Sequence, residues 1–115
     1  MTQYVALTYT RDVDWTSPAL ADEAAEYAKF TELHGSAIRG GTAFYQTQTA
    51  KTVRVSGGRG GDVQISDGPY ADTKDALTGF YLIEAPDLGE ALRIATDIPS
   101  AWDGAVEVRP VITYE

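Results

Sequence analysis

Apolar and polar positions change period several times along the chain, and each change predicts an element. QYVALTY, residues 3–9, is dense in β-branched and aromatic side chains and reads as a first strand. TRDVDWTSP follows as a polar, punctuated loop. Ser17 and Pro18 read as an N-cap and a first helical position, because proline lacks only an N–H that the first turn leaves unpaired anyway. Beyond them Leu20, Ala24, Tyr27, Phe30, Thr31 and Leu33 recur every three or four residues. That spacing predicts a helix of about 17 residues, with Asp22, Glu23, Glu26 and Lys29 toward water and Gly35 as the C′ residue that ends it.

In the middle the period falls to two. Gly40-Gly41 opens TAFYQTQT, and AKTVRVS then runs as a strand with Val53 and Val55 opposed to Thr52 and Arg54. DVQIS returns as its partner, with Val63 and Ile65 alternating against Gln64 and Ser66. GGRGGD, residues 57–62, is the hairpin loop between them. It is not a phosphate cradle, because a strand follows it and the lysine of that motif is missing. TGFYLIEA, residues 78–85, is the strongest strand, with Phe80, Leu82 and Glu84 on one face and Tyr81, Ile83 and Ala85 on the other.

Asp87 caps a second helix and Glu90 completes a capping box, with Leu88, Ala91, Leu92, Ala95 and Ile98 as the apolar stripe. Pro99 stops the helix and AWDG makes a turn. AVEVRPVITY is the last strand, Val106 and Val108 on one face, Glu107 and Arg109 on the other. Pro110 predicts an edge position or an irregularity.

With the hairpin set aside as an insertion, the order is β-α-β-β-α-β, the ferredoxin-like arrangement of an α+β domain spanning residues 1–115. Two helices bury one face of such a sheet. The other face still carries Tyr, Phe and Val, and in so short a chain the expected cover is a second copy. The expected assembly is a homodimeric α+β barrel with a cavity between sheet and loops.

Charge narrows the function classes. Nine basic against seventeen acidic side chains give a net charge of −8, and the basic residues form no run. Nucleic acid is not an expected partner. With no cysteine, thiolate chemistry and Cys-based zinc sites are excluded. The single histidine, His34, leaves too few soft ligands for a metal site, and it reads as a complement to the carbonyl end of the first helix. No cofactor is expected. No apolar run is long enough to span a membrane and no secretory signal is visible, so the expected location is the cytoplasm.

One stretch carries a more specific signature. Asp67-Gly68-Pro69-Tyr70, Ala71-Asp72-Thr73-Lys74 and Gly79-Phe80-Tyr81-Leu82-Ile83-Glu84 resemble the motif of the DGPF group of YCII-related proteins. The Gly40-Gly41 pair, Thr52-Val53-Arg54-Val55, the Asp87-Leu88-Glu90-Ala91-Leu92 helix, Ile98-Pro99 and Val106–Val111 are similar to the family too. Two positions depart from it: Tyr70 stands where the family has Phe, and Asp72 where it has Glu. The resemblance implies a dimeric α+β barrel. It implies no agreed activity, although some relatives are dehydrochlorinase-like enzymes on small aromatic rings and others are joined to sigma-factor-like regulators. The histidine–aspartate pair of those enzymes, in the first helix and in an Asp-Pro pair, is absent at the matching positions.

The candidate pocket residues are therefore Arg54, Asp67, Gly68, Pro69, Tyr70, Asp72, Lys74, Tyr81 and Arg109, with no catalytic residue assigned. Asp67-Gly68-Pro69 reads either as turn architecture or as a loop across a pocket mouth. If the helices cover Val53/Val55 and Val106/Val108, then Arg54 and Arg109 face the second copy. There they would anchor an anion or pair with Glu84 and Glu107. Tyr9, Tyr45 and Tyr81 line or fill the cavity. Three functions remain open: a small-molecule pocket protein, a lyase-like enzyme and a docking module.

Overall fold

Four strands make the main sheet of the computed structural model, which describes residues 1–114. β1 (Thr2–Thr10) lies between β5 (Ala76–Ala85) and β6 (Ala105–Pro110), and β2 (Ile38–Ala43) pairs with the far side of β5. Every neighbouring pair is antiparallel, and the order β2-β5-β1-β6 is that of the ferredoxin-like fold. The remaining strands, β3 (Lys51–Ser56) and β4 (Asp62–Asp67), pair only with each other and form a separate hairpin. Among the described residues no helix is long and apolar enough to cross a membrane.

The helices sit where the apolar periodicity put them, with narrower buried stripes. Ser17 caps a 3-10 turn, Pro18–Leu20, by accepting from the Ala19 amide, and the turn runs directly into α1 (Ala21–His34). Phe30 is the one side chain of α1 that is fully enclosed; Leu33 and Thr31 face water, so the six-residue stripe is mostly solvated. Gly35 has φ −54, a right-handed conformation, so it does not end the helix by the left-handed route expected of it. α2 (Leu88–Ala95) starts at Asp87, whose Oδ1 accepts from the Glu90 amide at 2.8 Å. Its buried side chains are Ala91, Ile94 and Ala95, followed by Ile98, while the expected members Leu88 and Leu92 are exposed. The predicted AWDG turn is a short helix, α3 (Ser100–Asp103).

The core lies between these helices and one face of the sheet. Tyr4 and Ala6 from β1, Ile83 and Ala85 from β5, and Phe30 meet the α2 residues, with Val106 and Val108 packed against them. Alternation along β1 is strict: Tyr4, Ala6, Thr8 and Thr10 are buried, whereas Gln3, Val5, Leu7 and Tyr9 point to the opposite, open face. On that open face the register sets Val5 beside Leu82 and Arg109, and Leu7 beside Phe80 and Glu107. β6 is an edge strand, as Pro110 requires, and its ladder ends there.

The hairpin corrects one expectation. The helices do not cover Val53 and Val55, which are exposed, and Arg54 does not lie on the main sheet at all. Alternation alone cannot tell a strand of the main sheet from a strand of an insertion, because both have period two.

Candidate functional site

Two concavities flank β5, and the sequence signature borders both: Gly79 and Tyr81 line the first, and Pro69 to Lys74 the second. The first lies under α1 on the buried face, with a volume of about 180 Å³. Trp15, Tyr27 and Tyr81 form its walls, and Thr8 and Thr78 its floor. The register explains how Thr78 arrives there. Thr8 pairs with Gly79 but Tyr9 pairs with Leu77, so Thr78 is the extra residue of a β-bulge. Continuing the alternation of Tyr81 and Ile83 would send Thr78 to the open face; the bulge turns it inward. Gly79 is a condition of this geometry, since a Cβ there would sit 2.4 Å from the Thr42 carbonyl oxygen of β2.

The inward threonines form one hydroxyl cluster. Thr78 Oγ1 lies 3.1 Å from Thr8 Oγ1, accepts from Thr10 Oγ1 at 3.3 Å, and is 3.2 Å from the Thr8 carbonyl, to which it can donate. Thr10 has a second acceptor in the Arg11 carbonyl at 3.0 Å. All three threonines are buried. On the helix side the Tyr27 hydroxyl meets Ser100 Oγ at 2.6 Å, and its ring packs edge-on to Trp15 with centroids 5.3 Å apart. Burial pushes the Tyr27 phenol up, partly offset by the Ser100 hydrogen bond. Burial likewise raises Tyr81. Both phenols therefore stay neutral at physiological pH, and among the described residues no ionised side chain lines this pocket.

The second concavity is a larger cleft of about 910 Å³ on the loop side, where Pro69, Tyr70, Asp72 and Lys74 face Phe44 and Leu77. Asp12 holds its far wall by accepting from the Thr47 amide at 2.9 Å and from the Thr47 hydroxyl. Gly68 adopts φ +91, a left-handed conformation that glycine accepts without a Cβ clash. Its N–H donates to Ala50 at 2.9 Å and its carbonyl accepts from Thr52 Oγ1 at 2.8 Å. Asp67 does not accept turn amides; it is exposed and pairs with Lys51 across the hairpin.

The other candidates are dispersed. Arg54 lies on the hairpin, its guanidinium 5.7 Å from the centre of the exposed Tyr70 ring. Arg109 is on the open face, as expected, and Glu107 pairs with it at 3.1 Å, while Glu84 pairs with Arg39 at 3.5 Å. Tyr81 alone of the nine enters the inner pocket. His34 meets Asp97 at 2.8 Å, joining the ends of α1 and α2 outside both concavities. Among the described residues no group of three His, Asp or Glu side chains converges as a metal would require.

Sequence reading missed Thr8, Thr10, Thr78, Trp15, Tyr27 and Ser100 as a unit. One signal was available: after Tyr4 and Ala6, the inward positions of β1 turn to threonine, a polar change on a core face.

The YCII-related domain family matches residues 2–115. An uncharacterized protein of Rhizobium meliloti (strain 1021) is 44% identical over 71 residues, covering 60% of this chain and 55% of that protein, so the match spans only about half the relative's length. Among solved structures, the 5-chloro-2-hydroxyhydroquinone dehydrochlorinase of Burkholderia phenoliruptrix AC1100, in complex with 2,5-dihydroxybenzoquinone, is similar with a TM-score of 0.50 and 16% identity. The likeness covers 93% of this chain and 90% of that one, and it concerns the fold. The chain belongs to the YCII-related domain family.

Proposed function

We propose that this protein is a small-molecule pocket protein, acting as a homodimer of α+β half-barrels, whose ligand is a single flat ring held under α1. The observation that carries the reading is the bulge at Thr78, which interrupts the β1–β5 ladder to set a third hydroxyl beside Thr8 and Thr10. A sheet needing only a packed interior would keep its ladder and fill this space with aliphatic side chains. Aromatic walls and a hydroxyl floor suit a ring bearing one or two neutral oxygens, such as a phenol or hydroquinone. The fold likeness to an enzyme solved with a one-ring quinone is consistent with that size.

Binding without turnover is the primary reading, because the pocket offers hydroxyls and no group that titrates near neutrality. A lyase-like reaction on the same ring would have to move its proton through Tyr27 and Ser100, the one close hydroxyl pair on the helix side. The dimer half of the proposal rests on Val5, Leu7, Phe80 and Leu82, which share the face the helices leave open.

Titration calorimetry with hydroquinone tests the ligand reading. The expected result is saturable binding that Thr78→Val weakens by about tenfold, the worth of one hydrogen bond. Binding unchanged by Thr78→Val, or no heat at millimolar ligand, refutes it.

A further inference from the structure

The hairpin has a two-sided chemistry that the body of its own chain does not use. Its register pairs Val53 with Ile65 and Val55 with Val63, so four β-branched side chains form one continuous face, closed at the base by the Lys51–Asp67 ion pair. All four are bare: Val53 is 61%, Val55 47%, Val63 63% and Ile65 66% exposed. The opposite face carries Thr52, Arg54, Gln64 and Ser66. A two-stranded hairpin is at best marginally stable alone, and so regular an apolar ladder is a face made to be covered. The projection is visible in the dimensions, 47 × 43 × 20 Å, and in a radius of gyration of 16.2 Å, against about 13 Å for a compact chain of this length.

We infer that the hairpin is an arm with which each chain grips a second copy of itself, laying its valine–isoleucine face on the partner copy's open sheet face. The inference rests on the homodimer reading above and adds the means of assembly. Charge favours a like chain as the occupant. Lys51, Arg54 and Arg59 against Asp62 and Asp67 leave the arm at +1, while the other six basic and fifteen acidic residues leave the body at −9. An arm of one copy is therefore complementary to the body of another, whereas two bodies alone repel.

Area makes the same argument. Four strands at ~4.8 Å spacing, with about six residues each, present a face of roughly 400 Å². That is about half of what each partner buries in a stable interface. The arm face contributes roughly 200 Å² more by the same measure, while the patch beneath the partner's arm is already part of that sheet face. With both arms in place each copy buries about 600 Å², roughly 1,200 Å² in all, the lower end of a specific stable interface. The cleft lies at the junction, because Tyr9 and Leu77 line it and also belong to the open face. A second copy seated on that face would close it.

Sedimentation of the full chain tests the arm apart from the dimer. Wild type is expected to be dimeric, and Val55→Glu or Ile65→Glu, each exposed and hence harmless to folding, should raise the dimer Kd roughly a hundredfold, since each loss counts twice per dimer. A dimer indifferent to both substitutions overturns the arm and leaves the sheet-face dimer standing. A wild-type monomer at 100 μM overturns both readings. Val55→Cys supplies the only thiol in the chain, and a benzophenone placed there should crosslink isotope-labelled partner chains near Val5, Leu7 or Leu82. Crosslinks confined to the same chain, or running from arm to arm, overturn the proposal.

Discussion

Replacing threonines 8, 10 and 78 by valine, singly and together, separates a cluster kept for ligand binding from one kept for stability. The three sites are isosteric with valine and differ in what each removal strands. Thr78 is the hub. Without its hydroxyl, Thr8 Oγ1 loses its one side-chain partner while remaining 5% exposed, whereas Thr10 keeps the Arg11 carbonyl. A stranded buried hydroxyl costs about 1–3 kcal/mol. At roughly 4 °C per kcal/mol for a domain of this size, Thr78→Val should lower Tm by about 4–12 °C. Thr8→Val leaves Thr78 with Thr10 and the Thr8 carbonyl, so its cost should stay under about 1 kcal/mol. The triple variant strands no hydroxyl and buries three extra methyl groups, so its Tm should return to within about 2 °C of wild type, or exceed it. Urea and thermal unfolding by circular dichroism give these values, and hydroquinone calorimetry on the same samples gives binding. A triple variant less stable than Thr78→Val would refute the reasoning, because the cluster would then hold the sheet together in its own right.

Two further outcomes follow from the same region. Gly79→Ala should cost more than about 2 kcal/mol and open the β2–β5 ladder, since its methyl would fall on the Thr42 carbonyl rather than on a movable side chain; proton exchange of the Phe44 amide, which donates to Thr78 at 2.8 Å, reports the opening. Burial raises the folded-state pKa of Tyr27 and Tyr81, so their contribution is intact below the unfolded value of 10.0 and is lost as pH rises through the folded values; stability should fall above about pH 10, and more gently in Tyr27→Phe and Tyr81→Phe, as urea melts from pH 8 to 11 would show.

The fold was legible because its elements announce themselves locally. Period two and period three-to-four segments, the Ser17-Pro18 and Asp87 starts and the edge-seeking Pro110 together restrict the chain to the ferredoxin-like order. The inner pocket was not legible because its deciding feature is an interruption of period. In TGFYLIEA, simple alternation groups Thr78 with Phe80, Leu82 and Glu84, and only the pairing of Tyr9 with Leu77 reveals that Thr78 points the other way. The His34–Asp97 pair was hidden by distance, 63 residues along the chain. The DGPY stretch was conspicuous, yet in the fold Asp67 and Gly68 build the base of the arm, while Pro69, Tyr70, Asp72 and Lys74 border the outer cleft.

That division bears on which ligand charge the proposed inner pocket would accept. The cations that could have anchored an anion lie outside the inner pocket: Arg109 pairs with Glu107 and Arg39 with Glu84, Arg54 is on the arm beside Tyr70, and Lys74 borders the outer cleft. The inner pocket holds neutral hydroxyls, and the surrounding field of a −8 chain opposes an approaching anion. Hydroxyls both donate and accept, so they can serve a phenol or a quinone oxygen without a change of protonation. A neutral ring should thus bind with little dependence on salt. By contrast, 2,5-dihydroxybenzoquinone, whose hydroxyls are vinylogous acids and ionise below neutrality, should bind hydroquinone's site at least about tenfold more weakly at low ionic strength, with the gap narrowing as salt screens the field. Tighter binding of the dianion would place an uncommitted cation in the pocket and move the site toward Lys74 and the outer cleft.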